Sequence, residues 1–126
     1  MGKDSAYYKN KKKKQTLKLR ELMSQLPGCA KDFLYDKEMT SQTSTLVSYA
    51  YDLLTFFRYL QYSNPTFANK SMTDFTMEDL AKLTSEDISE YQRYLELNED
   101  GEKHENGKKA IARKMAPLRG MFLYHL

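Results

Sequence analysis

Two short clusters of side chains carry the chemistry this sequence offers. Thr43, Ser44, Thr45 and Ser48 place four hydroxyls within one stretch, and Lys108, Lys109, Arg113 and Lys114 place four cations within another. Hydroxyls donate hydrogen bonds to phosphate oxygens, and Lys and Arg neutralise phosphate charge. Each cluster opens an amphipathic segment of helical period, and a helix N-terminus adds unpaired amide donors and a partial positive charge. Two such ends side by side suit the backbone of a DNA duplex. The hydroxyls have a competing use as helix caps. The lysines have a weaker one as solvated surface, because the helix dipole disfavours a cation at Lys108 or Lys109 by a few tenths to about 1 kcal/mol. Arg113 follows Lys109 by four residues and shares its face, where an arginine can pair with a guanine edge in the major groove. Lys114 suits a phosphate contact that positions the domain without reading sequence.

Other chemistry is poorly supplied. Cys29 is the single cysteine, and Lys31 is its only basic neighbour in sequence, so it is expected to pack rather than react. His104 and His125 have no metal-ligand spacing with Cys29 or with each other. A nucleophilic tyrosine needs groups that activate it and stabilise the developing charge. None of the ten tyrosines has an Arg/His cluster beside it in sequence. No paired-carboxylate, Cys/His or glycine-rich phosphate motif appears, so neither catalysis nor a cofactor or metal is expected.

The elements that must position the two clusters follow from length and pattern. At 126 residues the chain fits one domain and can bury roughly two thirds of its unfolded surface. No apolar run approaches the roughly 20 residues of a membrane span, and the start lacks a signal-peptide region. Ala6 stands where a myristoylation motif wants Ser or Thr. A lone cysteine fits a reducing compartment. The expectation is a cytoplasmic protein with no membrane partner.

Charge is distributed unevenly along the chain. Residues 1–20 hold eight Lys/Arg against one acid, whereas 70–105 hold four against eleven, and 106–126 hold five against none. Such polarity draws an anionic partner to one side and repels it from the other, so the acidic middle is expected to face away from DNA. Residues 1–15, with the run Lys11 to Lys14, have the composition of a disordered basic tail. That tail serves equally as a phosphate contact or as a solubilising terminus.

From Thr16 to Leu26 the spacing of Leu17, Leu19, Leu22, Met23 and Leu26 predicts a short helix ended by Pro27-Gly28. A second covers Ala30 to Met39, with Phe33 and Leu34 on one side and Asp36, Lys37 and Glu38 on the other. The hydroxyl-rich link Thr40 to Ser44 leads to a long helix carrying Leu46, Tyr49, Ala50, Leu53, Phe56, Phe57 and Leu60, stopped by Ser63-Asn64-Pro65. Phe67 anchors the loop that follows. Thr76 to Asp79 and Thr84 to Asp87 are Thr-x-x-acid capping boxes, opening a helix of one to two turns and a longer one with Ile88, Tyr91, Tyr94 and Leu95. Asn98 to Gly107 is an acidic, glycine-bounded loop. The last helix starts near Lys108 and points Ile111, Met115, Leu118 and Phe122 inward, with Pro117 expected to kink it. No stretch alternates with period two, so the class is all-α.

Three of these segments resemble a known family. Thr45-Leu46, Tyr49, Asp52-Leu53, Phe56 and Tyr59-Leu60 resemble the T-L-x-x-Y-x-x-D-L-x-x-F-x-x-[FY]-L helix of tyrosine recombinases. Leu83 to Ile88 with Tyr91 and Tyr94-Leu95 looks like their next capped helix, and Ile111 to Tyr124 is similar to their I-x-R-K-L-x-x-L-R-x-F-[FL]-x-Y helix. In that order and at those separations, residues 28–126 resemble the N-terminal core-binding domain of phage and transposon integrases. The resemblance implies a SAM-like orthogonal bundle of four to five helices over 16–126, behind the tail at 1–15. It implies binding of duplex DNA by one half of a C-shaped clamp, with Thr43, Ser44, Thr45, Ser48, Lys108, Lys109, Arg113 and Lys114 as contacts. Strand cleavage belongs to a C-terminal catalytic domain not found in this sequence, so the chain itself is expected not to be an enzyme. A bacterial or phage origin, a monomeric isolated domain and partnership with other recombinase protomers in a synaptic complex also follow from it. The long helix lacks the basic residues some relatives carry in its first turns and has Val47 there. The competing reading is a helical protein–protein or dimerisation module in which the stripes are simply core.

Overall fold

The apolar stripe from Leu46 to Leu60 is wider than one helix face requires, and this decides the architecture. The computed structural model describes residues 2–99 and 107–126, with side chains for 6–97 and 107–126. In it the fold is all-α, with α1 (Gly2–Met23), α2 (Gly28–Lys37), α3 (Thr43–Ser63), α4 (Met77–Leu80), α5 (Ser85–Glu99) and α6 (Gly107–Tyr124). Single 3₁₀ turns, Pro65–Phe67 and Met72–Asp74, lie between α3 and α4. No strand occurs among the described residues. Among the described residues six α-helices thus stand where the resemblance implies four to five, one of them only four residues long.

Helix α3 is the centre of the packing. Leu46, Ala50, Leu53, Leu54, Phe56, Phe57 and Leu60 are all buried, and the adjacent pairs Leu53/Leu54 and Phe56/Phe57 mean that more than one side is covered. Helices α1, α2 and α6 and both 3₁₀ turns pack on it. Burying each large side chain contributes roughly 1.5–3 kcal/mol before the entropy of ordering is subtracted. From α1 come Leu19, Leu22 and Met23, followed by Leu26; from α2 come Cys29, Ala30, Phe33 and Leu34. Leu17, expected on that stripe, instead points outward at 62% exposed.

The expected tail at 1–15 is the largest departure. Helix α1 starts at Gly2 and carries the lysine run as helix. No Gly or Pro interrupts the chain from Lys3 to Leu26, and Lys and Gln are good helix formers. Once Leu19 to Met23 are packed, the helix extends towards the N-terminus without a second nucleation cost. The side chains from Ala6 to Lys14 are exposed, so helical character there is local and owes nothing to burial.

Both capping boxes form. The Thr76 amide donates to Asp79 Oδ2 at 3.0 Å and the Asp79 amide to Thr76 Oγ1 at 3.2 Å. The same exchange joins Thr84 and Asp87, at 2.8 and 3.2 Å. Asp79 is also paired with Lys70 at 3.0 Å, and that contact holds its carboxyl below the usual range. The loop expected from Asn98 to Gly107 lies mostly outside the described residues, although α5 runs on to Glu99.

Helix α6 runs unbroken through Pro117, with Met115, Pro117, Leu118 and Met121 buried and Ile111 and Phe122 partly so. Gly120 lets it approach α2: a Cβ there would sit 2.8 Å from Cζ of Phe33. Beyond it, the His125 Nε2 lies 2.7 Å from the Cys29 carbonyl oxygen, tying the end of the chain to the start of α2. The Phe33 ring cannot move aside freely, because it is 1% exposed and flanked by Tyr49 and Tyr124, each with ring centroids 6.4 Å away. Gly120→Ala is expected to destabilise the fold by about 1 kcal/mol, overpacking outweighing the helix-propensity gain. Thermal melts should show a loss of a few degrees. Phe33→Leu should remove the Gly120→Ala penalty in a double-mutant cycle, and an additive double mutant would disprove the contact as its cause.

Candidate nucleic-acid interface

Helix α3 begins where the chain leaves a turn closed by the Ser41 amide on the Lys37 carbonyl, at 2.9 Å. Gln42 then adopts an extended backbone (φ −69°, ψ 147°), and its carbonyl accepts from the Leu46 amide at 3.2 Å. No side chain caps this end, and no acid lies in its first turn. The capping use open to Thr43, Ser44 and Thr45 is therefore not taken up, in contrast to Thr76 and Thr84. Burial of Leu46 and Ala50 pins the first turns and leaves Ser44, Thr45 and Ser48 exposed and Thr43 half-exposed. In α6, Met115 and Leu118 set the rotation. Lys108, Lys109 and Arg113 are exposed, Lys114 is half-buried, and no acid occupies the first turn.

The eight candidate residues do not form one cluster. Thr45 and Ser48 of α3 meet Arg113 and Lys114 of α6 in a cleft of about 500 Å³ completed by Tyr49, Asp52 and Ala116. Thr43 and Ser44 line a second, larger groove of about 890 Å³, across from Tyr8, Lys11, Lys12, Gln15 and Thr16 of α1. Lys108 and Lys109 line neither and lie between one and two turns up α6 from Arg113. The start of α3 thus has cations on two sides, from α6 and from α1.

Three contributors to this surface, Lys11, Lys12 and Asp52, fall outside the sequence candidates. Lys11 and Lys12 have by composition the look of a tail with no fixed place; their position against α3 depends on α1 continuing as a helix. Asp52 was visible only as a letter of a motif. Its spacing of four from Ser48 and seven from Thr45 was the available signal, since such residues share a helix face. Burial raises the Asp52 carboxyl to about 6, against the opposing attraction of Lys114 and Arg113.

The remaining reactive groups are quiet. Burial raises the Cys29 thiol, the wrong direction for a nucleophile. Tyr91 is 1% exposed and its hydroxyl, likewise raised by burial, has no hydrogen-bond partner among the described residues. His104 lies outside the described residues. Among those described, no three His, Cys, Asp or Glu side chains gather as metal ligands, and no helix is long and apolar enough to cross a membrane. Comparison with known proteins gives no match to a family model, a curated protein or a solved structure.

The raised Asp52 fixes the sign of one pH effect. Its folded carboxyl binds a proton more readily than the unfolded one, so the charged group costs stability above about pH 6. That cost is relieved as pH falls towards the unfolded value of about 4. Asp52→Asn should therefore raise unfolding free energy at about pH 7.5 by about 1–3 kcal/mol, a range discounted for solvent contact. The gain should vanish near pH 4 in paired denaturant titrations. A variant less stable than wild type at neutral pH would show that the carboxylate is a net stabiliser.

Proposed function

We propose that this chain is a duplex-DNA-binding module equivalent to the core-binding domain of a tyrosine-type site-specific recombinase or integrase. It would grip the duplex through the N-terminal ends of α3 and α6, while a separate catalytic domain cleaves and rejoins strands. The observation that carries this reading is the α3–α6 cleft, where Thr45, Ser48, Arg113 and Lys114 converge beside an uncapped helix end. Hydroxyls and cations from two helices on one concave surface suit a phosphate backbone, and Arg113 is the group suited to a base edge. Lys11 and Lys12 of α1 extend the basic surface beyond the expected contacts.

In this reading the isolated module binds modestly, because a clamp with one jaw loses the gain of linked sites. Other protomers of the same recombinase would join it in a synaptic complex. The second reading, a protein–protein module, draws on a different surface. Arg58, Tyr59, Tyr62, Ser63 and Tyr94 line a groove of about 290 Å³, with Tyr62 93% exposed. Tyrosine and arginine are favoured at protein interfaces. That groove borders α5 and the end of α3, away from the hydroxyl-bearing first turn, so the two readings predict different footprints.

An amide NMR titration with a short generic duplex at low and moderate salt separates them. Shifts should cluster at Thr43 to Ser48 and Lys108 to Lys114, with Lys11 and Lys12 joining, and should fade with salt. The affinity should fall with a log–log salt slope of roughly −0.9 per phosphate neutralised. Arg113→Ala should weaken binding by about 1–3 kcal/mol, while Lys114→Ala should mainly reduce the salt slope by about one. Shifts confined to Lys9 to Lys14 would leave the helical body without a DNA role and favour the second reading.

A further inference from the structure

One acid, Asp52, lines the α3–α6 cleft. Thr45, Ser48 and Asp52 follow one another along a single face of α3, and that face meets Arg113 and Lys114 across the cleft. Asp52 is half-buried. The charges acting on it come from α6, Lys114 and then Arg113; α5 adds the buried Tyr91 phenol, and Lys18 of α1 sits over the ring of the adjacent Tyr51. The attraction of the two cations does not offset the loss of water around the carboxylate, which is why it is raised to about 6. Asp79 shows the contrast: Lys70 and the Thr76 cap hold that carboxyl below its usual range. Asp52 is close enough to act on both cations and too desolvated to be satisfied by them.

We propose that Asp52 is an internal competitor for Arg113 and Lys114, holding from inside the protein the charges that a DNA phosphate takes from outside. This rests on the DNA-binding reading of the same cleft. A phosphate entering there meets a like charge, and the repulsion drives the carboxylate to take a proton from solvent, forming a neutral acid. Duplex affinity therefore rises as pH falls through the range in which Asp52 titrates. The arrangement also selects the kind of anion. A single small anion faces the carboxylate alone, whereas a duplex brings further phosphates to the first turn of α3 and to Lys108 and Lys109. A built-in repulsion of this kind lowers affinity for every ligand and raises discrimination among them.

The test is fluorescence anisotropy of a labelled generic duplex with the full chain at low salt, from about pH 7.5 to about pH 5.5. Wild type is compared with Asp52→Asn and with Asp36→Asn, which removes an exposed acid of α2. Asp52→Asn should bind about five- to ten-fold more tightly at the upper pH, as expected for one charge removed at short range in a partly screened site. Wild type should gain a similar factor on acidification, the variant should show a flatter profile, and Asp36→Asn should stay close to wild type. If Asp52→Asn binds no more tightly than Asp36→Asn, or more weakly than wild type, Asp52 orients the cations and the competitor proposal fails by itself. If wild type shows no salt-dependent binding at any pH, the DNA-binding reading fails and this proposal with it.

Discussion

Burial of α3 on more than one side is the constraint on which the rest of this structure depends. A helix that gives Leu46, Ala50, Leu53, Leu54, Phe56, Phe57 and Leu60 to the core has little surface left. What remains near its start is one polar ridge, Thr45, Ser48 and Asp52, and an N-terminal turn with no cap. Everything packed around α3 is then placed by its need for apolar partners. Helix α6 must supply Met115, Leu118 and Met121, and meeting that need turns Arg113 and Lys114 towards the ridge. The candidate interface is a consequence of core packing, not a separate device added to it.

The close approach of α6 to α2 serves the same end. Gly120 has no side chain to hold the helices apart, and the Phe33 ring fills the space between Tyr49 of α3 and Tyr124 of α6. Because Tyr49 also lines the cleft, the aromatic contact reaches from the α2–α6 seam to the wall beside Thr45 and Ser48. Rigid walls matter for a phosphate site, because groups already held in place lose less entropy when a ligand arrives. The His125 contact to Cys29 closes the same seam at the end of the chain.

Most of the helical order was legible in the sequence because it rests on local rules. Thr76 and Thr84 with acids three residues on mark two capping boxes. The α3 stripe with the stop at Ser63-Asn64-Pro65 marks the long helix, which begins at Thr43 inside the expected link. The lysine run is ambiguous for the opposite reason. A lysine run has the composition of disorder and the propensity of helix at once, and only the packed segment from Leu19 to Met23 decides between them. The site was half legible. Hydroxyl and cation clusters stood out by type, but their sorting into two grooves depends on which helices touch, and a stripe does not say what will cover it. Leu17 shows the same limit at one residue: apolar, correctly spaced for a helix, and left outside.

Asp52 is the clearest case of a residue whose meaning lies in its surroundings. In sequence it is one acid in a helix, marked only by its place in a motif and its spacing from Thr45 and Ser48. In the fold it is the carboxylate that burial raises to about 6 while two cations pull the other way. A packing-driven sequence would put an amide or an apolar residue there, since a charge that is desolvated without full compensation costs stability. Costs of that kind gather at functional surfaces, where burial and specific charge partners shift titratable groups away from their ordinary range. Tyr91, buried in ring contact with Phe56, Tyr59 and Tyr94, also feels the Asp52 charge. A desolvated carboxylate in a cleft of hydroxyls and cations is hard to explain as core alone, and on the proposed reading it lies where a phosphate backbone changes the local field most.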